Sequence, residues 1–201
     1  LGVSAREIAD LIPPHILRLA LFGKDINKQV NFDPEGDTIP VLYDQYDKLA
    51  ELYFAGERDD FSRLFELIHA PETRKNIPIR FLPRFSQVAF LVQMPHLDPE
   101  TEVGKVKGSA LTTEDKKELE SRVVYAKHWL GAYAPEEYRF ELQKEMPEAA
   151  RGLSSKQKEA LKKILAYVRE CEALDGQELH TRLHGIKDEV DISPKDLFSA
   201  I

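Results

Sequence analysis

Residues 43–54 read YDQYDKLAELYF. With Leu42 in front, apolar side chains recur at Leu42, Tyr46, Leu49 and Tyr53, at i, i+4, i+7 and i+11. That spacing lays them on one face of a helix, while Asp44, Asp47, Lys48 and Glu51 take the other positions. The pattern returns along the chain. Phe61, Leu64, Phe65 and Ile68 follow a possible Asp59-Asp60 cap; Phe85, Val88 and Val92 follow Pro83, and Pro95 stops that helix. Leu119, Val123, Ala126 and Leu130 follow Thr112-Thr113, and Leu161, Ile164, Leu165 and Val168 follow Ser154-Ser155. Leu179, Leu183, Ile186 and Val190 follow Asp175, and Ser193-Pro194 opens a last short helix. Each begins on a residue able to cap free N–H groups or on a proline suited to a first turn. Only KQVNF (28–32) alternates like a strand. The expected fold class is all-α, helix packed on helix.

Upstream, Ser4 and Glu7 have the spacing of a capping box, Pro13-Pro14 opens a helix, and Gly23 ends it. A polar joint with Lys24 and Lys28 follows, closing on Asn31-Phe32-Asp33. Residues 70–80, APETRKNIPIR, carry two prolines and no period, and read as a linker. Residues 96–110, HLDPETEVGKVKGSA, read as a loop.

The composition bounds the function. The chain has 201 residues, 42% hydrophobic and 31% charged, so it can bury a core. No apolar run is long enough to cross a membrane, and Arg6, Glu7 and Asp10 break up any signal-like stretch. The single cysteine, Cys171, excludes an internal disulfide and fits a reducing compartment, where it reads as a small core residue. The formal net charge of −7 argues mildly against a polyanionic partner, but phosphate affinity follows local charge. One basic island stands out: Arg74, Lys75, Arg80 and Arg84 against only Glu72 in residues 71–92.

No constellation in the sequence carries a reaction. His180 and His184 could share a metal at i, i+4, but nothing completes a four-ligand set. Glu136-Glu137 are adjacent and point apart, and no phosphate-binding glycine loop occurs. The catalytic and metal sites are therefore expected to be empty. Two features suit a polyanion instead. One is the joint with Lys24 and Lys28. The other is a helix face where Arg122, Tyr125 and the only tryptophan, Trp129, align at i, i+3 and i+7. Basic and aromatic groups on one face fit stacked bases; the same spacing also fits a widened core face. Arg80 and Arg84 are the remaining candidates, and ordinary surface is their alternative.

LGVSAREIADLIPPHILRLALF (1–22), NKQVNFD (27–33) and YDQYDKLAELYF, in that order, resemble class I lysyl-tRNA synthetases. IPIRFLPRFSQVAFLVQM (77–94), YAKHWLGAYAPEEYRFEL (125–142) and HGIKDEVDISPKDLFSAI (184–201) are similar to later parts of the same family. The stretch follows the family's KMSKS loop, and the chain starts where that loop would end. Ile26 departs from the family, which often has proline in the joint.

The resemblance implies the tRNA-docking part of an ATP-dependent lysine–tRNA ligase in the cytoplasm. It implies a helical bundle-like, stem-contact subdomain over 1–72, hinged at 23–33. A helical-cage, anticodon-binding domain over 73–201 would follow, cut short at its end. The implied partners are lysine tRNA and the catalytic domain of the same polypeptide, with no membrane and no DNA. ATP and magnesium would belong to that catalytic domain, with no cofactor in these residues. With the residue patterns above, the residues expected to bind tRNA are Lys24, Lys28, Arg80, Arg84, Arg122 and Trp129. A helical protein–protein module without RNA binding is the competing class.

Overall fold

The computed structural model describes residues 5–22, 32–56, 59–141, 144–171 and 174–201. The expected Ser4 cap, the Gly23 stop, most of the 23–33 joint with Lys24 and Lys28, and all of the KQVNF stretch but Phe32 lie outside the described residues. Within them, every regular element is helical, as the periodicity predicts. The chain forms two compact units, Leu1–Glu141 and Leu142–Ile201.

The first unit holds α1 (Ala5–Leu11), α2 (Pro14–Phe22), α3 (Thr38–Phe54), α4 (Asp60–Ile68), α5 (Phe85–Leu91), α6 (Pro99–Lys107) and α7 (Thr113–Ala132). A short 3-10 turn follows at Glu136–Tyr138. Helix α3 packs on α2, α4 and α5, and α7 packs on α1 and α5. The stripe that begins at Leu42 faces inward: Leu42, Tyr46 and Leu49 are buried, with Ile39, Tyr43, Phe65, Ile68, Phe85, Val88 and Trp129 in the same core. Asp59 caps α4 by accepting the Ser62 N–H at 2.9 Å.

One expectation fails here. Residues 99–107 form α6 where a loop is expected. Its signals are local rather than periodic. Asp98 accepts the Thr101 N–H, Pro99 occupies the first turn, acidic residues sit near the N-terminus and lysines near the C-terminus, and Gly108 closes the helix at φ 73°. Only Val103 is buried, so no apolar stripe betrays it.

Residues 70–80 do not separate the compact units, which divide at 141/142. Arg74 ties the segment back to α4: its Nε donates to the Glu66 carbonyl at 2.8 Å and its Nη2 to those of Leu67 and His69. Arg18 donates to the Ile68 carbonyl at 2.9 Å. Two guanidiniums thus reach the last carbonyls of α4, of which Glu66 also accepts the His69 N–H, where the helix dipole favours positive charge.

Asp115 fastens the start of α7. Its carboxylate accepts the Thr112 N–H at 2.8 Å, completing a capping box. It also accepts the Phe81 N–H at 2.6 Å and the Lys107 ammonium at 2.7 Å. One buried side chain therefore joins α7, the end of α6 and the extended segment before α5.

The second unit holds α8 (Glu148–Arg151), α9 (Ser155–Glu170), α10 (Gly176–Val190) and α11 (Pro194–Phe198). Ser154 and Gln157 form a capping box, and Asp175 caps α10 by accepting the N–H groups of Gln177 and Glu178. Its core is small: Ala160, Ile186, Val190, Ile192 and Leu197, with Ile164 against it. Leu165, expected inward, is 49% exposed, because the contact with α10 falls on the Ala160–Ile164 side of α9. Cys171 is half-buried rather than core, and its thiol is free.

Two outcomes follow. Limited trypsin digestion should cut first at exposed Lys144, beside the boundary, and only later at Arg74, whose side chain is engaged. A first cut at Arg74 would favour a boundary at 72/73. The second concerns acid. Burial alone would raise the Asp115 pKa, but the Lys107 ammonium and the Phe81 and Thr112 N–H groups outweigh it and hold it well below the carboxylate range. The unfolded chain then binds the extra proton, so this stabilisation is complete above the ordinary Asp value of about 3.9 and fades as pH falls below it. Asp115→Asn should cost roughly 1–3 kcal/mol at neutral pH and flatten the acid limb of stability against pH. An unchanged acid limb in urea titrations would contradict this assignment.

Candidate nucleic-acid interface

The six residues expected to bind tRNA separate sharply in the structure. Lys24 and Lys28 lie outside the described residues. Arg122 and Trp129 are both 0% exposed, so they present no stacking face to a solution partner. Arg80 is mostly buried, and only Arg84, 68% exposed at its side chain, stands in solvent.

Arg122 projects from α7 into the first unit's core. Its Nε donates to Glu118 at 2.7 Å, one turn earlier. Nη1 donates to Asp47 on α3 at 2.9 Å and to the Pro83 carbonyl at 2.8 Å, and Nη2 donates to the other oxygen of Asp47. Four of its five N–H groups are thereby placed in a fork that matches the Asp47 carboxylate. The guanidinium also lies over the Tyr43 ring, 5.0 Å from its centroid.

Arg80 completes the other side of Glu118, with Nε 2.9 Å from its second oxygen. Burial alone would raise the Glu118 pKa, but the charges of Arg122 and Arg80 outweigh it and hold it below its ordinary value. Arg80 Nη2 also donates to the Tyr46 hydroxyl at 3.0 Å. The His69 Nδ1 faces the Phe65 carbonyl at 2.7 Å; a carbonyl only accepts, so Nδ1 carries the proton. Nε2 is then free to accept from Tyr46, 3.2 Å away. The relay from Arg80 through Tyr46 and His69 to Phe65 runs in one direction, each donor meeting an acceptor. His15 lies flat against His69, with ring centroids 5.6 Å apart, and burial, above all, lowers its pKa to about 3. Neither imidazole is placed as a cation.

Trp129 closes the aromatic end of this core. It meets Tyr138 edge-on at 4.9 Å and Phe85 at 5.8 Å, and Phe85 in turn stacks on Tyr43 at 4.2 Å. The Trp129 Nε1 and the Tyr43 hydroxyl have no hydrogen-bond partner among the described residues. The i, i+3, i+7 alignment of Arg122, Tyr125 and Trp129 is therefore a core face, the second of the two readings its spacing allows. Sequence reasoning missed the residues that make it so. Glu118 was visible as an i, i+4 partner of Arg122; Asp47, 75 residues away, left no local signal.

The basic island is largely occupied. Arg74 binds the end of α4 and Arg80 binds Glu118, while Arg84 forms a two-bond pair with Asp44 at 2.8 and 3.2 Å on the surface. Being exposed, that pair is weak. His180 and His184 are neighbouring rings 4.7 Å apart on α10, and no group of three or more metal-ligating side chains occurs among the described residues. No helix among them is long and apolar enough to cross a membrane.

Similarity to known proteins agrees with the order of sequence features. A lysine–tRNA ligase of Methanosarcina barkeri is 27% identical over 221 aligned residues, covering 99% of this chain and 40% of the relative. That of Pyrococcus horikoshii is 26% identical over 208 residues, covering 97% and 38%. The chain is a relative of the lysine–tRNA ligases. The Pyrococcus furiosus ligase reaches 30% identity over 151 residues, 68% of this chain and 27% of the relative. The chain thus spans about two fifths of the length of the first two ligases. No family model matches it.

Arg122→Met leaves Asp47 without its cation and Glu118 with Arg80 alone, and should cost about 3–5 kcal/mol of stability. Trp129→Ala opens a cavity of similar cost, about 3–5 kcal/mol. Because Trp129 is the only tryptophan, its emission reports the site without ambiguity. It should be blue-shifted, poorly quenched by acrylamide, and unchanged by added tRNA. Quenching that tRNA relieves would return Trp129 to the surface.

Proposed function

We propose that this chain is the tRNA-docking part of a class I, ATP-dependent lysine–tRNA ligase, and that it recognises lysine tRNA, with its later helices serving the anticodon end. The observation that carries this is the alignment of almost the whole chain with proteins named lysine–tRNA ligase, over about two fifths of their length. The all-helical fold supports it. Lysine activation would fall to a catalytic domain elsewhere in the same polypeptide, which would hold ATP and magnesium. Within the chain, Lys24, Lys28 and Arg84 remain the phosphate contacts; Arg80 contributes through the buried cluster, and Arg122 and Trp129 support the fold.

The test measures two things on this chain. Lysine-dependent ATP–pyrophosphate exchange should stay at background. Lysine tRNA should bind with an affinity that falls as salt rises, and more tightly than a tRNA with another anticodon. Exchange above background would overturn the division of labour. A folded chain indifferent to tRNA at low salt would favour a protein-binding helical module.

A further inference from the structure

Helix α9 concentrates positive charge in an acidic chain. Ser155–Glu170 carries Lys156, Lys158, Lys162, Lys163 and Arg169 against Glu159 and Glu170, in a protein of net charge −7. The structure sorts these cations into two groups. Lys156 reaches Asp191 at 2.9 Å and Lys163 reaches Glu189 at 2.7 Å, so both are used within the unit. Glu189 also holds Arg182 at 2.6 Å, and these two bonds lower its pKa to about 2.

Lys158, Lys162 and Arg169 are different. All three are exposed, and none has a carboxylate partner among the described residues; the Lys158 ammonium lies 3.5 Å from the Arg151 carbonyl. They follow at i, i+4 and i+11 with Leu165 between them, which places the four on one narrow stripe of the helix. Glu159 and Glu170 instead share the flank of Lys163, at i, i+4 and i+11. Arg151, exposed at the end of α8, lies beside the start of the stripe through its contact with Lys158.

We propose that this stripe, Lys158–Lys162–Arg169, is a ridge that tracks the sugar–phosphate backbone of the bound tRNA. It rests on the tRNA-docking reading and places a contact within the second unit. The cations stand about 6 Å and 10 Å apart along the axis, from a rise of about 1.5 Å per residue. A nucleic-acid strand offers one phosphate per roughly 3.4 Å of rise, so each cation can meet a phosphate of its own. No ion pair among the described residues must break to do so, only the long bond from Lys158 to the Arg151 carbonyl, which separates this ridge from Arg74, Arg80 and Arg122. Flexible ammoniums and a guanidinium suit contacts that position RNA without reading its sequence.

The experiment compares salt-dependent binding of lysine tRNA to the wild-type chain, to K158Q/K162Q/R169Q, and to K75Q/K127Q, which removes exposed lysines from the first unit. The ridge variant should keep its helical circular dichroism, lose roughly tenfold or more in affinity, and shallow the log–log salt slope by about two to three units. The loss should be similar for a non-cognate tRNA. The first-unit variant should change little, and K158R/K162R/R169K should retain binding. A ridge variant that binds like wild type, or loses no more per charge than K75Q/K127Q, overturns the ridge and leaves the docking reading standing. A wild-type chain without salt-dependent tRNA affinity overturns the docking reading itself, and the ridge with it.

Discussion

Arg122 carries a full positive charge into the centre of the first unit, and the surrounding arrangement answers that charge. A guanidinium out of water is costly unless its N–H groups are met and its charge is matched. Here the matching groups come from three places: Glu118 from the same helix, Asp47 from α3, and the Pro83 carbonyl from the segment before α5. Moving any of the three by one residue would strand a buried charge. The cluster therefore sets register. It allows one alignment of α3 against α7 and one path for residues 77–84, which an apolar core of the same volume would specify less sharply.

The rest of the first unit extends this constraint. Glu118 has two oxygens, and the second recruits Arg80, whose Nη2 reaches Tyr46. Tyr46 then orients His69 at the end of α4, and Arg74 and Arg18 satisfy the carbonyls beyond it. A continuous run of polar contacts thus passes from α7 through α3 to α4, with aromatic rings packed around it. Such a run resists partial rearrangement, because loosening one member leaves its neighbour unsatisfied in a low-dielectric interior. This is why the proline-bearing stretch 70–80 is fastened to α4 within the first unit and cannot act as a free linker.

The fold was legible wherever burial leaves a period. The α3 stripe, the α4 face and the α7 face announce themselves because each element must bury an apolar side. Helix α6 was not legible by that route, since it buries only Val103; its caps and terminal charges carry the signal instead. The candidate site was legible in residue type and misleading in location. Arg122 and Trp129 stand out in the sequence as a basic and an aromatic group at helical spacing. Their role depends on Asp47 and Phe85, whose proximity is a property of the tertiary fold.

Helices α7 and α9 pose the same puzzle in sequence and answer it differently. Each shows basic side chains at helical spacing beside apolar ones, and no local rule distinguishes a charge used inside from one left outside. The neighbours decide. On α7, carboxylates from the same helix and from α3 converge on Arg122 as the aromatic core closes over it, so the charge becomes part of the fold. On α9, the acidic residues near α10 reach Lys156 and Lys163 on one flank, and the opposite stripe has none to meet it among the described residues. A buried cation is locked by its partners and has no capacity left for a ligand. An exposed one keeps its field, screened only by salt over about 8–10 Å. In a chain of net charge −7, the summed charge disfavours a polyanion, and a stripe of this kind lowers the electrostatic cost of its approach.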